Sequence, residues 1–144
     1  MTPYPGRTSA SSRRGSTIVE FAVVAMLLLT TMFACFEFDR MLLTYTSLAN
    51  AARAGARYAI VHGNTGGIVS GPGDDPASVV TVVKRMAVMG LLKTDRLVVR
   101  VRYPQGNNEP GSRVTVTVEY QYDPWFALPI RPNLVSTSAG VIVY

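Results

Sequence analysis

The sequence predicts an α+β protein. A long N-terminal helix, first transmembrane and then amphipathic, precedes a small domain with one helix and an antiparallel sheet of about three strands. Three observations carry that prediction. The run from Ile18 to Phe36 is apolar except for one charge, Glu20. Helical spacing then continues without a proline as far as Gly63. Beyond Arg96 the apolar period falls to two, the period of a strand with one buried face. The expected divisions are a basic leader at 1–15, a long helix at 16–62 and an extracytoplasmic α+β domain at 63–144. Within the helix, 18–36 is the span and 37–62 its amphipathic continuation.

A helix over 18–36 is about 28 Å long at 1.5 Å per residue, close to the ~30 Å of a bilayer's hydrocarbon core. It shows no polar stripe, which weighs against a buried core helix. A cleavable secretory signal fits poorly because no A-x-A-like site follows the apolar run. The "TMFAC" before and at Cys35 is a weak lipoprotein box, since bulky Phe33 stands where a small residue is needed. Arg7, Arg13 and Arg14 precede the span with no acid among them, whereas Arg40 alone follows it closely. Positive charge stays on the cytoplasmic side, so the N-terminus is expected inside and the C-terminal domain outside.

Composition agrees. Charged residues make up 16% of the chain, against about 25% in ordinary soluble domains. The net charge of +5 is scattered, and no dense basic block with interleaved aromatics suggests a nucleic-acid partner. Cys35 is the single cysteine and cannot form an intramolecular disulfide. With His62 the single histidine, a structural zinc set is not expected either.

The continuation "DRMLLTYTSLANAARAGARYAIVHG" places Met41, Tyr45, Leu48, Ala52, Ala56 and Ala59 on one face. Arg40, Thr44, Ser47, Asn50, Arg53 and Arg57 take the other. Ala51, Gly55 and Ala59 recur every fourth residue, with Ala52 and Ala56 in a parallel row. Small side chains at this spacing permit close helix packing, on the chain's own domain or on another helix.

A glycine-rich connector is expected over 64–74, without the GK[ST] of a phosphate loop. Asp75 then reads as a helix cap with Pro76 at the first position. Val79, Val80, Val83, Met86 and Ala87 point inward on that helix, which closes near Gly90. "RLVVRVRYP" sets Leu97, Val99 and Val101 against Val98, Arg100 and Arg102. "RVTVTVEYQYDP" sets Val114, Val116, Val118, Tyr120 and Tyr122 against Thr115, Thr117, Glu119 and Gln121. "VSTSAGVIVY" is the expected third strand. In the proline-rich "DPWFALPIRP", Trp125 or Phe126 packs on the sheet or touches the outer headgroup layer. No Ser–His–Asp set, HExxH or Walker sequence occurs, and no enzyme or cofactor is expected.

The ordered set in residues 13–62 resembles the TadE-like family of the tight-adherence, Flp-type branch of type IV pilus systems. It comprises Arg13–Arg14–Gly15, then Glu20–Phe21, the Glu37–Phe38–Asp39–Arg40 patch and "NAARAGARYA". The resemblance implies a single-pass protein of the bacterial inner membrane that acts as a pseudopilin or pilus-assembly component. It implies partners among pilin-like or TadE-like subunits and the Tad inner-membrane platform. It also implies a prepilin-peptidase junction between Gly15 and Ser16, which puts Glu20 fifth in the mature chain. Phe21 stands where main fibre subunits of this branch usually have Tyr, which suits an accessory subunit.

Cleavage would leave an ammonium on Ser16, one helical turn from Glu20. An offset neighbour's ammonium paired with this carboxylate would set axial register, because misaligned subunits leave both charges unpaired in hydrocarbon. The other reading of Glu20 is a carboxylate that reaches water near the cytoplasmic headgroups. The competing function is a membrane-anchored extracytoplasmic binding module with no pilin-like assembly.

Overall fold

The computed structural model describes residues 11–63, 70, 71, 73, 75–125 and 131–143, with side chains from residue 15 onward. Most of the glycine-rich connector, as well as Phe126, lies outside them. Helix α1 runs Ser11–Val61 and no proline interrupts it. In its apolar part, Thr30 and Thr31 donate their hydroxyls to the carbonyls of Met26 and Leu27, at 2.8 and 2.9 Å. These back-bonds satisfy two polar groups that hydrocarbon could not.

The chain divides into two compact units, Met1–Phe38 and Asp39–Tyr144. In the second unit, α1 and α2 (Ala77–Met89) cover one face of a three-stranded sheet. The strands are β1 (Leu97–Arg102), β2 (Arg113–Gln121) and β3 (Asn133–Val141), hydrogen-bonded in the order β1-β2-β3. Both pairings are antiparallel; Val99 lies opposite Val118, and Val118 opposite Ser136. Helices on one face leave the other to solvent, which is why the strands alternate. Leu97, Val99, Val101, Val114, Val116, Val118 and Tyr120 are buried. The outer face carries Arg100 paired with Glu119 at 3.4 Å and Thr117 bonded to Thr137 at 3.1 Å.

The inner face of β3 is built from Leu134, Ser136, Ser138 and Gly140, all half-buried. Small residues there admit the end of α1, and a Cβ on Gly140 would meet Ile60 Cδ1 at 2.3 Å. Gly55 is similarly confined. A methyl at Gly55 would lie 2.4 Å from Val83 Cγ2 and 3.3 Å from Val116 Cγ1. Glycine is needed there for space between α1, α2 and β2, not for an unusual φ.

The end of α1 is closed by tertiary contacts. A helix leaves its last carbonyls without intrahelical donors. Here Ala59 O accepts from the Ser70 hydroxyl at 3.3 Å, and Ile60 O accepts from Val143 N–H at 3.1 Å. His62 O accepts from Ser70 N–H at 2.8 Å. His62 itself stacks on Tyr58, with ring centroids 4.1 Å apart.

Several sequence expectations are corrected. Asp75 caps no helix: Pro76 precedes α2 without any side-chain cap bond. Asp75 instead holds the free edge of β1, its Oδ1 accepting from Val101 N–H at 2.5 Å and its N–H donating to Val101 O at 3.3 Å. An edge strand with unpaired groups offers those bonds, and the residue two places before the helix is positioned to take them. Tyr45 has the right angle for the packing face but is 46% exposed. The fully buried part of that face begins one turn later, at Leu48. Met86 lies at the rim of α2 and is exposed rather than inward. Trp125 does not pack on the sheet and is 81% exposed. α2 closes at Gly90 as expected, but the left-handed residue after it is Leu91, at φ 61°.

Gly55→Ala is expected to destabilise the second unit by about 1–3 kcal/mol through overpacking, despite alanine's better helix propensity. Adding Val83→Ala should return part of the loss, because it removes the atom in the way. Denaturant unfolding of the detergent-solubilised chain, followed by circular dichroism, measures both. Independent, additive effects of the two changes would contradict the contact.

Candidate membrane and assembly surfaces

In the first unit the apolar run presents its side chains outward. Ile18, Phe21, Met26, Leu27 and Leu28 are all exposed. Among the described residues, one helix is long and apolar enough to cross a membrane. The most apolar window of Gly15–Val61 has mean hydropathy 2.3, and none of it is buried. A bare apolar surface of this extent needs an apolar solvent or partner.

Glu20 is exposed on this helix and, among the described residues, has no hydrogen-bond or ion-pair partner. Ser16 lies one turn before it, about 6 Å along the axis at 1.5 Å per residue. Helix α1 begins at Ser11, so the Gly15–Ser16 peptide falls within its first turns rather than ahead of it. A Cβ on Gly15 would meet nothing within 4 Å. Phe21 is exposed beside Glu20.

The small-residue row is occupied within the chain. Ala51, Ala52, Gly55, Ala56 and Ala59 are buried with Val79, Val83 and the sheet valines in one core. The exposed side of this part of α1 carries Asn50, Arg53 and Arg57. Close helix–helix approach along the alanine row would require this core to open.

Arg40, expected on the outward stripe, is partly buried instead. Its guanidinium lies 4.8 Å from the Tyr122 ring centre and 4.9 Å from that of Trp125. Its Nη2 donates to the Asp123 carbonyl at 2.6 Å. The Asp123 carboxylate takes Arg96 Nη1 at 2.8 Å and Arg131 Nε at 3.7 Å. The hydrogen bond from Arg96 holds the Asp123 carboxyl below the usual carboxylate range, aided by the nearby positive charges. Planar guanidinium stacked on aromatic faces is the arrangement arginine supplies and lysine does not. Helical periodicity could not reveal this cluster, because its members come from α1, the turn before β1 and the β2–β3 loop. The available signal was an arginine just past the span and an aromatic in "DPWF".

A second contact invisible to sequence periodicity joins Ser70 to Tyr103. The Tyr103 hydroxyl donates to the Ser70 carbonyl and lies 3.2 Å from the Ser70 hydroxyl. Ser70 is fully buried and also bonds the end of α1. Burial pushes the Tyr103 phenol above its ordinary value, partly offset by the bond to Ser70.

One surface hollow is lined by Asp75, Val98, Arg100, Val101 and Arg102, without a nucleophile or histidine. Among the described residues, no group of three His, Cys, Asp or Glu side chains could hold a metal ion. The fold and surfaces define a class: an α+β domain carried on one long helix whose N-terminal part is suited to a bilayer.

Residues 15–57 match the family model described as TadE-like protein. That match supports the TadE-like resemblance along the helix; its range takes in Gly15, Ser16, Glu20, Phe21, Ala51, Ala52, Gly55 and Ala56, and Ala59 lies beyond it. No match was found among the curated proteins or the solved structures. The family match and the apolar helix together support a Tad-pilus-associated, single-pass membrane protein.

Tyr103→Phe leaves the buried Ser70 carbonyl without its phenol donor and should cost about 1–3 kcal/mol. The raised folded-state pKa carries a definite sign. Its contribution to stability is complete below the unfolded value near 10 and is lost as pH rises through the folded value. Unfolding titrations at neutral and alkaline pH should therefore show wild-type stability falling more steeply than that of the variant. Equal slopes would show that Tyr103 is not protected from ionisation.

Proposed function

We propose that this protein is an accessory pseudopilin or assembly component of a Tad-type pilus machine. The apolar segment anchors it in the inner membrane with the basic N-terminus in the cytoplasm. The α+β domain lies outside and meets other pilin-like or TadE-like subunits and the inner-membrane platform. The observation that carries this reading is the family match over 15–57, coinciding with a bare apolar helix that has one acid near its start.

Glu20 serves in this reading as a register key. Alone in hydrocarbon a carboxylate costs roughly 2.5–3.5 kcal/mol, so an assembly that brings it a cation is strongly favoured over one that does not. The cation is the Ser16 ammonium released by a prepilin peptidase acting after Gly15, within one chain or from an offset neighbour. The burial of the alanine row leaves the N-terminal span as the larger free apolar surface for helix association.

Intact mass and N-terminal sequencing of protein extracted from its native membrane test the processing step, with a chain beginning at Ser16 as the expected result. A chain beginning at Met1 or Thr2 would remove the cation and leave a permanently anchored binding or assembly factor. Glu20→Gln is expected to reduce co-purification with pilus-machine proteins while leaving membrane insertion intact. Unchanged co-purification would end the register role.

A further inference from the structure

We propose that Trp125, held by Arg40, is an interfacial anchor that seats the extracytoplasmic domain on the phosphate–carbonyl layer of the outer leaflet. This rests on the reading of 18–36 as a membrane span. Arg40 lies on α1 four residues past Phe36, about 6 Å along the helix axis. Arg40 therefore emerges at the headgroup level when the span ends at Phe36. Trp125 is brought to the same level by its contact with Arg40, 4.9 Å from guanidinium to ring centre.

The chemistry of the patch fits that layer. The indole is 81% exposed, although it is the largest side chain type. Tryptophan has an apolar body and one N–H donor, which suits the boundary where one end is greasy and the other wet. A scattered exposed aromatic is ordinary on a soluble surface. This one differs because its ring carries a cation and its backbone is tied down. Asp123, two residues before it, is bonded by Arg40, Arg96 and Arg131. Around Asp123 the cations Arg96, Arg131 and Lys93 outnumber Asp123 and Asp95, a balance that favours phosphate. Arg131, with 64% of its side chain exposed, is free to reach it while remaining 3.7 Å from Asp123. The occupant is thus a lipid surface, with a zwitterionic or anionic phosphate as the recognised group.

Trp125 is the only tryptophan in the chain, so its fluorescence reports on this patch alone. The full chain is reconstituted in phosphatidylethanolamine–phosphatidylglycerol vesicles containing either a headgroup-attached or a deep acyl-chain nitroxide lipid. Aqueous iodide is the third quencher. The expected result is strong quenching by the headgroup nitroxide, weak quenching by the deep nitroxide and by iodide, and no change as protein is diluted in lipid. Quenching by iodide without quenching by the headgroup nitroxide would overturn the proposal. So would headgroup quenching that disappears on dilution, which would assign the indole to a protein contact.

A separate sample labelled at Cys35, the single cysteine, with an environment-sensitive fluorophore reports on the span. Cys35 in lipid with Trp125 in water defeats the anchor and leaves the membrane reading standing. Cys35 in water defeats both.

Discussion

Gly55 lies where a single methyl group would come within 2.4 Å of Val83, and this close approach governs how the second unit is built. It sets the spacing of α1 from both α2 and β2. The alanines on either side along the same face pack into the same core, and the valines of the sheet supply the volume. Interiors at this density forfeit dispersion energy when a gap opens and strain when an atom is added. A helix with larger side chains on this face would stand further from the sheet. The bonds that close its end, from Ser70 and Val143, would then fall out of reach.

One continuous helix thus serves two different solvents. Its N-terminal part keeps bulky apolar side chains outward, and its C-terminal part keeps small ones inward. The change of role needs no break in the backbone, because helix geometry is the same in lipid and in a protein core. What changes is side-chain volume: Leu, Met and Phe give way to Ala and Gly. The surface left to a second subunit changes accordingly. Along 51–59 the small-residue face is already committed to the chain's own core, whereas the large apolar side chains along 18–36 are exposed.

Two polar constellations link elements of the second unit. Ser70 and Tyr103 join the last turn of α1 to the end of β1, and Arg40, Asp123, Arg96 and Arg131 join α1 to the far end of the sheet. Their members lie far apart in sequence, so each acts as a cross-link between elements that periodicity identifies one at a time. The exposed charge pairs contribute little stability by themselves. The planar stacking of Arg40 on two rings is more specific, because it ties α1 to both Tyr122 and Trp125.

The sequence by itself determined the α+β class, the apolar span and the inward valines of all three elements that carry them. Each of these rests on local composition or on a period of 3.6 or 2, which a single element expresses alone. Glu20 and the small-residue row are legible as linear patterns on one helix, whereas the Gly15–Ser16 junction comes from the family resemblance alone. Only the tertiary structure decided that Asp75 guards the edge of β1, that Tyr45 lies beyond the cover of the domain and that Arg40 folds onto Tyr122 and Trp125. Those outcomes depend on where a second element ends or leaves a donor unpaired. No periodicity in the first element records that.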